Sequence, residues 1–350
     1  MHQPAYDAIL FLSFGGPEGM SDVMPFLANV LRGKNVPESR MKEVVHHYEQ
    51  FGGVSPINQQ NRNLIKALKE ELVTRQIELP IYWGNRNWHP LLVDTIKEMQ
   101  KDGIKHALAF VTSAYSSYSG CRQYLEDIQK AQQEVPGAPQ IDKLRVFYNH
   151  PDFIEANVQN VAAGLAQFAP IEQQSVHIAF TAHSIPTAMA QTCAYQEQLL
   201  EACRLVTESK TVAGLFKSQA LVFQSRSGPA SQPWLEPDIL EHIGKVHEEG
   251  TKFILVHPIG FISDHMEVLY DLDTEAQNLA KSLGIKLVRS STAGRDGLFA
   301  RMMGDLVAER LQSKEGMQRQ AVGQNLAGPD LCQPGCCAYT PARPEAKATT

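Results

Sequence analysis

The chain has 350 residues, 43% of them hydrophobic and 20% charged, with a formal net charge of −6. This is the composition of a soluble globular protein long enough for two domains, and it offers no basic surface for nucleic acid. No apolar run approaches the roughly 18 residues of a membrane span, and no basic region precedes an apolar stretch at the N-terminus, so a cytoplasmic, monomeric protein without a signal peptide is expected.

Taken in chain order, β-rich apolar runs read as strands at Ala8–Phe14, Ile81–Gly84, Ala107–Thr112, Leu144–Tyr148, Val176–Thr181, Ala220–Gln224, Phe253–Pro258 and Ile285–Val288. Helical patterns such as Asn63–Arg75, Leu91–Gln100 and Ile239–His247 separate most of them. Strands alternating with helices predict an α/β protein with parallel sheets. The chain also repeats itself. Gly84-Asn-Arg86 leads through Pro90 and a helix to Gly103 and a strand, and Gln224-Ser-Arg226 leads through Pro237 and a helix to Gly250 and a strand. Proline suits the start of a helix and glycine its end. Two similar Rossmann-like, doubly wound domains are therefore expected, over residues 1–150 and 151–296, facing each other across a cleft. A last helix over 297–312 is expected to pack back on the first domain, followed by a cysteine-bearing tail over 313–350.

Two motifs end strands where such sheets build their crevice. Thr181-Ala-His-Ser-Ile-Pro186 offers the imidazole of His183. Ser263-Asp-His-Met-Glu-Val-Leu-Tyr-Asp271 offers Glu267, with Asp271 and Glu275 following at helical spacing. A neutral imidazole facing a file of carboxylates accepts protons and handles a hard or borderline divalent cation, and oxygen ligands pass such a cation along without trapping it. His265 is expected to support Glu267 from behind, and His257 to be a satisfied core histidine. The glycine turns at Gly15-Gly16 and Gly52-Gly53 would let backbone approach a large flat ligand. Arg32, Lys34, Ser55, Arg86 and Tyr124 would hold its carboxylates.

The six cysteines divide. Cys193 and Cys203 fall in a helical stretch and read as buried thiols. Cys332, Cys336 and Cys337 crowd into the tail, and with Cys121 they make four ligands suited to a [2Fe–2S] cluster or a structural zinc. Adjacent cysteines are awkward for one tetrahedral ion, which favours the cluster.

These motifs, together with Leu12-Ser-Phe-Gly-Gly-Pro17, Phe51-Gly-Gly-Val-Ser-Pro-Ile57 and Trp234-Leu-Glu-Pro237, resemble the ferrochelatases, which insert Fe²⁺ into a porphyrin; they run in that family's order from about residue 6 to 312. The resemblance implies the chelatase fold, His183 and Glu267 as catalytic and iron-handling residues, Asp271 and Glu275 as a metal relay, and a porphyrin contacted by Phe14, Arg32, Ser55, Arg86 and Tyr124. Asn85-Arg-Asn-Trp88 and Ser116-Ser-Tyr-Ser-Gly-Cys121 bring it nearest the actinobacterial branch that metallates coproporphyrin III. Members of that branch hold a [2Fe–2S] cluster on one internal cysteine and three near the C-terminus, which implies Cys121, Cys332, Cys336 and Cys337 here. Some relatives carry a metal-facing tyrosine in the first glycine turn, where this chain has Phe14. A protoporphyrin IX ferrochelatase and a porphyrin- or haem-binding protein without catalysis are the alternatives. A soluble product passed to a downstream haem-pathway enzyme suits the coproporphyrin reading.

Overall fold

The computed structural model describes residues 6–32, 38–229, 231–295, 297–312 and 319–340. Lys34, expected at the substrate's carboxylates, lies outside them. Two four-stranded sheets carry the fold. β1 (Ala8–Ser13), β2 (Ile81–Asn85), β3 (His106–Val111) and β4 (Gln140–Lys143) stand in the order β2-β1-β3-β4. β5 (Val176–His183), β6 (Ser218–Gln224), β7 (Phe253–His257) and β8 (Lys286–Arg289) repeat it as β6-β5-β7-β8. Every pairing is parallel. The central strands are fully buried, as their unbroken apolar runs require of a sheet covered on both faces.

The repeat extends to single hydrogen bonds. The amide of Asn85 donates to Pro90 O at 2.7 Å, and that of Phe223 to Pro237 O at 2.8 Å. Gly103 and Gly250 end their helices at φ +81° and +89°, where glycine carries no Cβ penalty. With these two glycines matched, the strand registers make Phe14 the counterpart of His183 and Arg86 the counterpart of Gln224. The Asn-Arg and Ser-Arg motifs are thus offset by two residues: Arg226 is not the partner of Arg86. The loop between strand and proline is longer in the second half, and sequence spacing alone could not register it.

One expected strand is replaced. Leu144–Tyr148 is irregular, and β4 lies just before it as Gln140–Lys143. An edge strand meets solvent and is polar, whereas Leu144, Phe147 and Tyr148 drop into the core that the two halves share. This core joins residues of β1, β3, β5 and β7 to the helices Ile57–Thr74, Pro151–Leu165 and Gly297–Gln312. The last helix is pinned by ion pairs from Arg75 to Asp305 (2.7 Å), Arg145 to Glu309 (2.8 Å) and Arg301 to Asp152 (2.6 Å). Among the described residues no helix is long and apolar enough to cross a membrane.

Candidate active site

The carboxyl ends of β1, β2, β3, β5 and β6, with the loop after β7, open into a cleft of about 1240 Å³. This exceeds the roughly 300–1,000 Å³ usual for a small-ligand pocket and suits a large planar ring. Phe14, Arg32, Ser55, Arg86, Tyr124, His183, Glu267, Asp271 and Glu275 all line it.

His183 is the last residue of β5. Its Nδ1 donates to the Ser184 carbonyl at 2.5 Å, which leaves Nε2 as the lone-pair nitrogen turned to the cleft. The backbone beneath it is fixed by the Tyr195 hydroxyl, which donates to His183 O at 3.0 Å. Nε2 stands 3.6 Å from Glu267 Oε2, and the Glu267 side chain is 52% exposed to the cleft. His265 Nδ1 lies 3.9 Å from the same carboxylate, near enough for electrostatic support but beyond hydrogen-bond reach. Burial lowers the His265 pKa, with Glu267 opposing the shift. The buried phenol of Tyr48 has its pKa raised by burial first and then by the Glu267 charge.

The acidic file does not ride on a plain α-helix. A short α-turn, Met266–Val268, passes into a π-helical segment, Leu269–Ala276, whose wider i→i+5 winding marks many functional sites. Asp271 is tucked inward. Burial, reinforced by the Glu267 charge, pushes its pKa up to about 7, although Ser225 and Gln224 both donate to its Oδ2, the latter at 3.1 Å. Asp271 thus sits with a raised pKa beside a Glu267 that meets the cleft. Gln224 and Ser225 stand out in the sequence as part of a repeat and a family motif, without a chemical role; their contacts with Asp271 emerge once β6 is laid beside the π-segment.

At the cleft's other wall, Arg86 is more occupied than a free carboxylate clamp. Its Nε is bonded to Asp127, and its guanidinium lies 4.6 Å from the Tyr124 ring centre and 5.9 Å from that of Phe14. It stiffens an aromatic wall. Ser55 is buried, and Arg32 is exposed at the mouth, donating to Asn29 Oδ1 at 2.7 Å. The glycine turns serve the protein's own packing: a Cβ at Gly15 would meet Asn85 at 2.8 Å, and one at Gly53 the Met20 backbone at 2.4 Å. His257 is a core residue, with Ser290 Oγ 2.7 Å from Nδ1 and Asn157 Oδ1 2.9 Å from Nε2.

The four cysteines converge beside this cleft. Cys121 sits buried in a π-helical turn, Tyr118–Arg122, within electrostatic reach of Cys332, which is in turn within reach of Cys336. The Cys336 and Cys337 sulfurs are 3.5 Å apart. Thiols from a buried turn and a distant tail have the donor chemistry that a [2Fe–2S] cluster would take.

A deep cleft with an imidazole facing a carboxylate file defines a class: enzymes that move a divalent cation and protons together. A ferrochelatase family model matches residues 6–311. The chain is 51% identical over 343 residues to the ferrochelatase of Rhodopirellula baltica, covering 97% of this chain and 96% of that one. It is 46% identical over 364 residues to the coproporphyrin III ferrochelatase of Streptomyces griseus, covering 99% and 97%. The solved structure of SirB from Bacillus subtilis with Fe³⁺ superposes with a TM-score of 0.55 at 12% identity, over 91% of this chain and 100% of that one, a likeness of fold. The chain belongs to the ferrochelatase family, and it is a metal chelatase.

Proposed function

We propose that this enzyme inserts Fe²⁺ into coproporphyrin III, with His183 and Glu267 at the reacting centre. The observation that carries the chemistry is the 3.6 Å approach of His183 Nε2 to Glu267 beside an Asp271 that titrates at about 7. Insertion replaces two pyrrole N–H bonds with bonds to iron and releases two protons. His183 Nε2 has its lone pair free and takes a pyrrole proton. Glu267 stabilises the imidazolium so formed and coordinates the entering iron as it sheds water; once His183 has handed its proton through Glu267 to Asp271, it takes the second pyrrole proton by the same route. Asp271 and Glu275 line the route between cleft and solvent, exchanging protons outward against iron inward. The aromatic wall of Phe14, Arg86 and Tyr124 holds the ring's face, while Arg32 and Ser55 meet its carboxylates.

The coproporphyrin assignment draws on relatives such as those of Streptomyces griseus and Streptomyces coelicolor, named coproporphyrin III ferrochelatases at 46% and 47% identity. The reading carries a monomer in the cytoplasm that hands its product to the next haem-pathway enzyme. It also assigns a [2Fe–2S] cluster to Cys121, Cys332, Cys336 and Cys337. A bound cluster would supply one-electron redox chemistry and a covalent tie between the tail and the Tyr118–Arg122 turn; no step of insertion passes through it.

His183→Ala tests the assignment. Fe²⁺ insertion is expected to fall by about 10²–10⁴-fold, the usual worth of a positioned base, while titration of porphyrin fluorescence still shows binding. Turnover within a few-fold of wild type would remove His183 from the chemistry.

A further inference from the structure

We infer that the cysteine-bearing segment is a strap that completes the porphyrin cleft, and that Tyr339 at its end is a substrate-positioning residue held in place by the thiol cluster. The inference rests on the porphyrin reading above and goes beyond it.

Tyr339 lines the same cleft as His183 and Glu267, although it lies far beyond both in sequence. Its hydroxyl accepts from Gln232 Nε2 at 3.2 Å, a cleft residue of the second half. Its ring packs edge-on against Tyr118, a cleft residue of the first half, at 6.0 Å and 62°. Tyr339 therefore closes a gap between the halves. The elements that hold it are those that hold the thiols. Tyr118 opens the π-helical turn that presents Cys121, and its own hydroxyl is tied to Glu126 at 2.9 Å. Arg122, at the end of that turn, donates to Cys336 O at 3.4 Å.

The strap is built to point both ways. Cys337, with its side chain buried, takes φ +54°, a left-handed conformation that a non-glycine residue keeps only when its surroundings hold it. Two residues after this twist, Tyr339 reaches the cleft. Behind the same wall Cys193 donates to the Met189 carbonyl at 3.3 Å and lies within electrostatic reach of Cys336 and Cys337; Met189 also faces the cleft. The thiol nest and the porphyrin thus share one wall made of Tyr118, Met189 and Tyr339.

The test is a fluorescence titration of metal-free coproporphyrin III into the full-length protein, purified anaerobically, with the visible absorbance of the thiol-bound centre recorded alongside. Tyr339→Ala is expected to weaken binding about tenfold, the loss of one well-placed aromatic contact, with the absorbance unchanged. Tyr339→Phe, which keeps the ring, is expected to stay within about twofold. Cys336→Ser is expected to weaken porphyrin binding by a similar factor although it touches no substrate, and the double variant Cys336→Ser/Tyr339→Ala to be no weaker than either single one. Wild-type affinity in Tyr339→Ala would overturn the strap alone, as would additive losses in the double variant. A wild-type protein that binds no porphyrin would overturn the functional reading and the strap with it.

Discussion

At the scale of single residues, the site is organised by where protons can rest. His183 spends one ring nitrogen on its neighbour's carbonyl and keeps the other for the cleft. Asp271 is the adjustable member. Its folded pKa of about 7 stands above its ordinary value of 3.8, with burial the largest cause. A carboxyl so raised favours the folded state most below its unfolded pKa, and that contribution is lost as pH rises through about 7. Asp271→Asn is therefore expected to raise thermal stability at pH 8 by about 1–3 kcal/mol and to change it little at pH 4, while slowing insertion. Equal stability changes at both pH values would show that Asp271 ionises freely in the fold. The candidates that line the cleft were named from the sequence, because histidine and carboxylates at strand ends carry a chemical meaning of their own. The partners that set their state were not: Ser225, Gln224 and Tyr48 reach Asp271 and Glu267 only through the third dimension.

At the scale of elements, two π-helical segments do the placing, Tyr118–Arg122 for the thiols and Leu269–Ala276 for the acidic file. Neither is marked in the sequence, since a π-turn has no period distinct enough to betray it. The buried central strands announced themselves by continuous apolar runs; the edge strand β4 did not, since its residues, Gln140–Lys143, are mostly polar. Helices Met20–Val30 and Glu38–Glu49 bring Val23, Phe26, Leu27 and Tyr48 against Met266 at the start of the acidic file, so that the first half packs on the segment that carries Glu267. Glu267→Gln keeps the side-chain shape and removes the charge, and iron insertion is expected to fall about 10²-fold or more with porphyrin affinity retained. An unchanged rate in single-turnover measurements would exclude the carboxylate from the reaction. In the tail that faces the Tyr118–Arg122 turn, Cys336→Ser is expected to abolish the visible absorbance of an iron–sulfur centre; a spectrum identical to wild type would exclude Cys336 as a ligand.

At the scale of the whole molecule, the two halves repeat one topology yet share one core, and this is why the cleft is deep and its walls are firm. The repeat was legible in the shared order of proline, helix and glycine at Pro90–Gly103 and Pro237–Gly250. Its register was not, because the second half inserts residues between β6 and Pro237. The consequence is that Phe14 and His183 occupy matching positions: the same strand end presents a phenyl ring in one half and an imidazole in the other. The shared core also sets acid stability. Burial holds the imidazoles of His150 and His177 down at about 4 and that of His257 at about 3. Each folded pKa lies below the unfolded value near 6.5, so the stability they allow is complete above that pH and is lost as pH falls toward the folded values. Below pH 6.5 each should cost about 1.4 kcal/mol per pH unit, seen as a falling urea midpoint between pH 6.5 and 5. A midpoint flat across that window would mean that these imidazoles are charged in the folded protein.

The central claim is metal insertion into a specific porphyrin, and the direct measurement is an anaerobic Fe²⁺-insertion assay with coproporphyrin III and protoporphyrin IX side by side. The account predicts rapid metallation of coproporphyrin III and a strong preference for it over protoporphyrin IX. Preference for protoporphyrin IX would contradict the substrate assignment while leaving the roles of His183 and Glu267 standing, and porphyrin binding without insertion of iron would contradict the account itself.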